Sequence, residues 1–146
     1  MTQSEPQKPN PVGWPRISSS IYYEDAKAAI DWLCRAFGFE RHLVVPDEAG
    51  GIAHAQLTFG NGMVMLGSQR DDDFGKLQKT PAEVGGIGTQ SAYIIVADAD
   101  AHHARAVAAG ARVVYPLFDA DYGGRGYSCL DPEGHLWSFG TYDPWK

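Results

Sequence analysis

The stretch Asp25-Ala-Lys-Ala-Ala-Ile-Asp-Trp-Leu-Cys-Arg-Ala-Phe-Gly-Phe39 decides the fold of this 146-residue chain. Apolar side chains recur along it at spacings of three and four residues, which predicts an amphipathic helix. Asp25 can cap the start of this helix, and Gly38 stands where a left-handed residue ends a helix at low cost. Runs compatible with β-structure flank the helix. They are residues 16–23 before it and residues 39–45, 52–59 and 62–67 after it.

The second half of the chain repeats this order of elements. Asp98 can cap a helix that runs to Ala109, with Gly110 just past its end, and Asp131–Gly134 can form the turn of a hairpin. Equivalent caps and turns of the two halves lie 72 or 73 residues apart, as Asp25 and Asp98 do. The pattern predicts an α+β fold in which a β-α-β-β-β unit is used twice. The strands of the second unit are predicted at residues 91–96, 111–115, 125–130 and 135–141.

The domain boundaries follow from this repeat. Residues 1–16 contain four prolines among polar residues and are predicted to form a flexible N-terminal arm. Residues 17–142 are predicted to form a single domain in which a 23-residue connection joins the two units. Unit one spans residues 17–67, the linker spans 68–90, and unit two spans 91–142.

Two further segments join the opening helix in a family resemblance: Val107-Ala-Ala-Gly-Ala111 and Asp131-Pro-Glu-Gly-His-Leu-Trp-Ser-Phe139. Together, in this order, they resemble the vicinal oxygen chelate superfamily, which includes glyoxalase I, bleomycin-resistance proteins and extradiol dioxygenases. The resemblance covers residues 17–142. It implies two curved mixed sheets, each around a cavity, and a homodimer that completes the structure.

Charge and composition narrow the range of partners. The chain has 18 acidic and 12 basic residues, a formal charge of −6, and no cluster of Lys and Arg, so nucleic acid is not an expected partner. No apolar run is long enough to cross a membrane, and Met1–Pro6 lacks the basic and apolar regions of a signal peptide. We therefore expect a cytoplasmic protein. In that compartment Cys34 and Cys129 are expected to be buried thiols rather than a disulfide.

Alternation along each strand assigns side chains to two faces, because successive residues point to opposite sides of a sheet. The bulkier set is expected to pack beneath the helices: Ile17, Ile21, Tyr23, Ala53, Ala55, Leu57, Phe59, Ala92, Ile94, Val96, His135, Trp137 and Phe139. The other set is expected to face the cavity: Ser18, Ser20, Tyr22, His54, Gln56, Thr58, Ser91, Tyr93 and Ser138.

The resemblance also bears on metal binding. Metal-dependent members of the superfamily place His, Glu or Gln ligands at four inward strand positions, which align here with Ser18, Leu66, Ser91 and Ser138. Zinc, nickel and iron prefer imidazole, carboxylate or thiolate donors, which these residues do not supply. We therefore expect no metal site of the family type and no cofactor. This departure argues against glyoxalase I and dioxygenase activity.

The candidate ligand-binding residues have a polar tip or an aromatic ring on the expected cavity side. His54 is the candidate catalytic base, with a structural hydrogen bond as the alternative, and Gln56 lies two residues further on. Arg125 can clamp an anion, or it pairs with Asp119 or Asp121 instead. The candidate set is Tyr22, His54, Gln56, Tyr93, Tyr122, Arg125 and Ser138.

The remaining aromatic and imidazole side chains receive simpler interpretations. Tyr22 and Tyr93 stand at roughly equivalent places in the two units and suit the walls of a site for flat small molecules. His102 and His103 are expected on an exposed helix face. His135 is expected to be packed or hydrogen-bonded at a strand end.

Three functions are compatible with these features. The first is metal-free binding of a small organic molecule in the sheet cavity, for which the net acidity weakly favours a cationic or polar aromatic ligand. The second is a lyase or isomerase of the glyoxalase type that acts through a non-standard metal site or through His54 as base. The third is a dimeric interaction module. Tight binding without turnover favours the binding protein. Metal content, or loss of turnover in His54→Ala, favours the enzyme. A chain without an enclosed pocket favours the interaction module.

Overall fold

A computed structural model describes residues 15–146 of the chain. Within that range the chain forms two helices and eight strands, in the predicted order β-α-β-β-β used twice. The α+β class and the repeated unit are thus confirmed. The elements are β1 Ser19–Tyr23, α1 Ala26–Phe37, β2 Glu40–Pro46, β3 Ile52–Phe59, β4 Gly62–Ser68, β5 Ala92–Ile95, α2 Ala99–Ala108, β6 Arg112–Asp119, β7 Arg125–Leu130 and β8 Leu136–Gly140.

Each unit folds into one four-stranded mixed sheet. Sheet A has the strand order β1-β4-β3-β2, and sheet B has the order β5-β8-β7-β6. The first strand of each unit runs parallel to the last, and the other neighbouring strands are antiparallel. As a result, β2 and β6 each form one edge of a sheet, and β1 and β5 form the other.

The segments outside the sheets differ in what the structure describes. The flexible arm predicted for residues 1–16 lies, as far as residue 14, outside the described residues. The connection between the units contains two short 3-10 turns, Gly75–Leu77 and Pro81–Val84. No helix within residues 15–146 is long and apolar enough to span a membrane.

Both helices begin where the sequence predicts; α1 also ends as predicted, and α2 ends at Ala108, one residue before the predicted end. Asp25 and Asp98 each accept a hydrogen bond from the backbone N–H three residues further on, which satisfies one free donor of the first turn. Gly38 follows α1 with φ of +89°, a conformation that residues with a side chain rarely adopt. Gly110 follows the end of α2 in the same left-handed region.

The edge strand β6 departs from its predicted bounds. It runs to Asp119 and passes through Pro116, whereas the sequence predicts an end at residue 115. Proline is tolerated in an edge strand because one side of the backbone has no strand partner. The register with β7 also shifts between Tyr115 and Phe118, around the proline.

Strand pairing corrects the face assigned to Leu66. This residue is 2% exposed and lies beneath the helix in sheet A, in the place that Phe139 takes in sheet B. The residue equivalent to Ser138 is therefore Met65. The prediction is wrong because the last hairpin of unit two carries one more residue than that of unit one, and a slip of one residue exchanges the two faces.

Three smaller assignments also change. Ile17 precedes β1 and is 87% exposed, and Ala53 is exposed where the pairing of β3 with β2 is irregular, so neither packs beneath α1. The register further shows that Tyr93 takes the place of Ser20, not of Tyr22. The two tyrosines are therefore not equivalent.

One hydrophobic core serves both units. Its buried cluster contains residues from both helices and both sheets. Phe37 at the end of α1 and Phe39 just after it contact Trp137 of β8, with ring centroids 5.4 and 5.7 Å apart. Both Cys34 and Cys129 are free thiols, as the sequence predicts, but only Cys129 is buried in this core and Cys34 is half-buried.

A buried carboxylate joins the units near the start of α1. Asp131 Oδ2 accepts hydrogen bonds from the Tyr23 hydroxyl at 2.6 Å and from Trp137 Nε1 at 3.0 Å. Its Oδ1 accepts the backbone N–H groups of Glu133 and His135, both at 3.0 Å. Burial, reinforced by the charge of Asp131, raises the pKa of Tyr23 well above its usual value, so its hydroxyl remains a donor.

The same turn also reaches the backbone of unit one. The carboxylate of Glu133 accepts the N–H groups of Glu24 at 2.7 Å and Asp25 at 2.9 Å, just before α1. His135 Nε2 donates to the carbonyl oxygen of Tyr22 at 2.8 Å, which confirms the hydrogen-bonded role expected for this histidine. The hairpin of unit two is thus fixed to the start of unit one.

His102 takes part in a second contact between the two units. It does not lie on an exposed helix face as predicted. Its Nε2 donates to the carbonyl oxygen of Phe37 at 2.9 Å, and its Nδ1 accepts from the Tyr127 hydroxyl at 2.6 Å. Arg105 donates to two further carbonyl groups at the end of α1. The prediction fails because the pattern of α2 alone does not reveal that the helix meets the end of α1.

The contact between Asp131 and unit one predicts the effect of a substitution at Tyr23. Tyr23→Phe removes one of the four donors of a buried carboxylate, so we expect the free energy of unfolding to fall by about 1.5–3 kcal/mol. Urea denaturation measures this change. The control Tyr22→Phe removes a hydroxyl that bonds only to the backbone of Arg70, and we expect a smaller loss of at most about 1 kcal/mol. Equal losses in the two variants would contradict the role of Asp131.

The contact of His102 with the end of α1 predicts how the stability of the protein depends on pH. Burial lowers the pKa of His102 below the value of a histidine in the unfolded chain, so the unfolded chain binds this proton more readily. The stability contributed by the neutral imidazole is complete above the unfolded pKa of about 6.5 and is lost as the pH falls through the lowered folded pKa. Unfolding measured from pH 8 to 5 should therefore lose less stability in His102→Gln than in the parent, whereas His103→Gln should retain the parent's slope.

Candidate functional site

Each sheet has one face beneath the helices and one face that points away from them, here called the open face. Side chains under the helices are buried, and those of the open face are half-buried or exposed. On the open face of sheet B a patch of small residues is surrounded by larger ones, and this patch is here called the hollow. Its floor consists of Gly126, Ser128, Ser138 and Gly140, which lie side by side on β7 and β8.

The floor of the hollow is built from two glycines and two serines, which carry no side chain or a small one. Ser128 and Ser138 pair across the two strands with their hydroxyl oxygens 2.7 Å apart. A Cβ atom added to Gly126 would lie 2.6 Å from the carbonyl oxygen of Phe139 on the neighbouring strand. The glycine is thus required by the close approach of the two backbones, which holds the floor low.

Larger side chains surround this floor. Tyr93 and Tyr115 stand at the two ends of the row of serines, and Ile95 and Phe118 stand at the ends of the row of glycines. The rings of Tyr115 and Phe118 contact each other edge to face at 5.0 Å. The hollow is therefore a polar floor between two aromatic walls, an arrangement suited to a flat ring.

Tyr93 is held against the floor by a hydrogen bond. Its hydroxyl donates to the carbonyl oxygen of Tyr142 at 2.7 Å, and it lies 2.7 Å from the place of a Cβ atom at Gly140. Desolvation by burial raises the pKa of Tyr93, so the phenol stays protonated. Tyr122 contacts the ring of Tyr142 edge to face at 4.8 Å, which brings this exposed predicted residue to the same end of the sheet.

Arg125 belongs to the helix side of sheet B. It alternates with Gly126 along β7, and its guanidinium pairs with Asp100 of α2 at 3.1 Å and with Asp119 at 3.3 Å. The hydrogen bonds of Asp100 and then Asp119 raise the pKa of the guanidinium further. Of the two sequence interpretations, the structure shows the pairing with Asp119, together with an unforeseen partner on α2.

The other predicted residues lie on sheet A. His54 and Gln56 share the open face of β3, and the Gln56 amide donates to His54 Nε2 at 3.0 Å. The imidazole nitrogen that would take a proton is thus already engaged. The hydroxyl of Tyr22 accepts the backbone N–H of Arg70 at 3.1 Å, and the residue lines a separate cleft between the units. Hydrogen bonds and ring contacts therefore group the seven predicted residues into separate sets.

Residues that the sequence interpretation missed complete the hollow. Ser128 was missed because counting outward from the predicted turn at 131–134 places it opposite Trp137, whereas the observed register places it opposite Ser138. Tyr115 and Phe118 were hidden by Pro116, which suggested that the strand had ended. Tyr142 lies at the end of the predicted domain, and no local pattern marks its contact with Tyr93.

The residues at the family's metal positions do not fit a hard or borderline metal ion. With the register corrected, the donors are the hydroxyls of Ser18, Ser91 and Ser138 and the thioether of Met65. Zinc, nickel and iron prefer imidazole, carboxylate and thiolate donors, and a thioether suits Cu(I). Within residues 15–146 no group of three or more His, Cys, Asp and Glu side chains is placed to hold a metal ion.

Comparison with known proteins gives the chain a family. Residues 15–139 match the model of the Glyoxalase/Bleomycin resistance protein/Dioxygenase superfamily. An uncharacterized protein of Mycobacterium bovis is 36% identical over 126 residues, which cover 86% of this chain and 82% of that protein. Similar proteins occur in Mycobacterium tuberculosis.

Solved structures agree with this match. TioX from Micromonospora sp. ML1 is 36% identical, with a TM-score of 0.68 over 86% of this chain and 97% of TioX. A family enzyme from Burkholderia phytofirmans PsJN shares the fold at 16% identity, with a TM-score of 0.62 over 84% of this chain and 94% of that one. With two β-α-β-β-β units, the caps and turns that define them and a family match over nearly all of its described residues, the chain belongs to the Glyoxalase/Bleomycin resistance protein/Dioxygenase superfamily.

Proposed function

We propose that this protein binds a small, flat organic molecule in the hollow of sheet B without a metal ion. The observation that carries the proposal is the floor of two serines and two glycines between aromatic walls. A ring that rests on this floor contacts Tyr93 and Tyr115 at its edges. The hydroxyls of Ser128 and Ser138 can both donate and accept, so they suit a ligand with a polar substituent.

Charge and cysteine chemistry add to this proposal. The net charge of −6 favours a neutral or cationic aromatic ligand over an anionic one. Cys34 and Cys129 are free, as expected in a reducing compartment, and we place the protein in the cytoplasm on that ground.

A lyase or isomerase of the glyoxalase type receives less support. His54, the candidate base, lies on sheet A, and its Nε2 accepts a hydrogen bond from Gln56. A substrate proton would reach this nitrogen only after Gln56 had turned away. The donor set at the family's metal positions does not suit the ions of glyoxalases and dioxygenases.

We further propose that the protein is a homodimer. The edge strands β2 and β6 expose a run of apolar side chains to solvent. A second copy over these strands would remove them from water and would enclose the open faces. The exposed residues on these strands are Leu43, Val44, Val45, Val114 and Tyr115.

The hollow can be tested by filling it. In Ser138→Leu the new side chain occupies the floor, so we expect the affinity for planar aromatics to fall at least about tenfold, or about 1.4 kcal/mol. Isothermal calorimetry with naphthol, indole and tryptamine measures this change. Ser138→Ala keeps the space and loses one hydroxyl, so it should weaken binding by only about threefold.

One outcome of the calorimetry would contradict the proposed site, and a second measurement tests the proposed homodimer. Equal affinity in the parent and Ser138→Leu would show that the hollow is not the site. Sedimentation velocity reports the oligomeric state, and a monomer at all concentrations would overturn the proposed homodimer.

Metal analysis tests the metal-free proposal. For protein purified without a chelator or a metal-charged resin we expect far less than one zinc, nickel, iron or manganese ion per chain, because hydroxyl and thioether donors hold these ions weakly. About one tightly held ion per chain would contradict the proposal. In that case His54 and His42, which lies on the edge strand β2, would be tested as ligands, and glyoxalase and ring-cleavage activity would be measured.

A further inference from the structure

We propose that the cleft between the two units is a second ligand site, which takes an amphipathic molecule with a carboxylate head and an aliphatic chain. The cleft has a volume of about 680 Å³ and is lined by β1, the start of β5, the start of β8 and the segment that connects the units. This volume lies within the range of small-molecule sites. The floor residues of the hollow, Ser128 and Ser138 among them, are not part of its lining.

Exposed aliphatic side chains gather in this cleft. Leu77, Val84 and Ile87 of the connecting segment are 78%, 44% and 67% exposed, and Leu136 of β8 is 40% exposed. Isolated apolar residues are common on protein surfaces, but several in one concavity are typical of a binding surface. They suit an alkyl chain better than a flat ring, because the rings in the lining, Tyr22, His135 and Trp137, are half-buried or buried and the exposed apolar side chains are aliphatic.

The connecting segment is held in place before any ligand binds. Glu83 Oε1 accepts hydrogen bonds from the N–H and hydroxyl of Thr80 at 2.9 and 3.0 Å and from Gln69 Nε2 at 2.8 Å. Pro81 is buried next to Gly134 of the unit-two turn. Val84 is therefore mounted on an ordered turn, with Leu77 before it and Ile87 after it, which lowers the entropy lost when a ligand binds.

The charge in the cleft selects the head group. Lys79 is the one permanently charged side chain among the described residues that line it, and none of them is Asp or Glu, although the chain as a whole is acidic. Lys79 Nζ lies 3.9 Å from Glu83 Oε2. Because Thr80 and Gln69 already hold Glu83, the ammonium group is able to turn toward an incoming anion. Hydroxyl and amide groups that can bind the second carboxylate oxygen are supplied by Ser18, Ser20, Gln78 and Gln90.

Three probes with the same alkyl chain test the proposal: decanoate, decanol and decylamine. By isothermal calorimetry we expect decanoate to bind once per chain, decanol more weakly and decylamine most weakly. Lys79→Met keeps the length of the side chain and removes its charge. It should weaken decanoate binding by about three- to tenfold and leave decanol unchanged, as for a partly exposed ion pair. Lys76→Met, which removes a lysine of the same segment outside the cleft, is the matched control.

A second variant tests the apolar wall. Ile87→Glu places an acid in the cleft at an exposed position, so the fold should be retained and decanoate binding lost. The hollow variant Ser138→Leu should bind decanoate as the parent does, which separates this site from the proposed function. Unchanged decanoate binding in Lys79→Met or Ile87→Glu, or decanol binding as tight as decanoate, would overturn the proposal. A third result would also overturn it: decanoate does not bind the parent, and the parent is a dimer that dissociates in Ile87→Glu. A second copy of the chain, and not a small molecule, would then cover the cleft.

Discussion

The buried carboxylate of Asp131 is the interaction on which the rest of the structure depends. It accepts four hydrogen bonds, one from Tyr23 of unit one and the others from Trp137 and the turn of unit two. A buried charge is stable only when such donors surround it, so the two units must meet in a single arrangement for the carboxylate to be satisfied. The neighbouring Glu133 adds two bonds to the backbone just before α1. The contact therefore sets position as well as stability.

The hollow lies on the hairpin of β7 and β8, and this contact holds the turn of that hairpin. Along that hairpin, large residues such as Tyr127, Trp137 and Phe139 fill the shared core, while small residues occupy the other side. Because side chains alternate, the same hairpin has one face that stabilises the core and one face that forms the floor of the hollow. The large residues of the core face supply the stability that the small residues of the open face do not. A site on a strand that is buried on one side is also more rigid than a site on a loop.

Much of the fold was predictable from local chemistry, whereas the contacts between the units were not predictable. Asp25, Asp98 and Gly38 act within one helical turn, so their roles follow from the residues themselves. Leu66 was misplaced because the two hairpins differ in length by one residue, which landmarks in the turns do not show. The partner of His102 is Phe37, 65 residues away, and no pattern within α2 indicates it. The proposed site was predicted least well, because one of its walls comes from an edge strand and Tyr93 of the other is held by Tyr142, beyond the last strand.

The close backbone contact at Gly126 has a consequence for how this site can change over time. A methyl group there would strike the neighbouring strand, so the depth of the hollow is not open to gradual adjustment by small substitutions. Tyr115 and Phe118, in contrast, stand on an edge strand where replacement disturbs few neighbours. Under the proposed function, descendants of this chain are expected to change their ligand by exchanging the walls while they inherit the same floor.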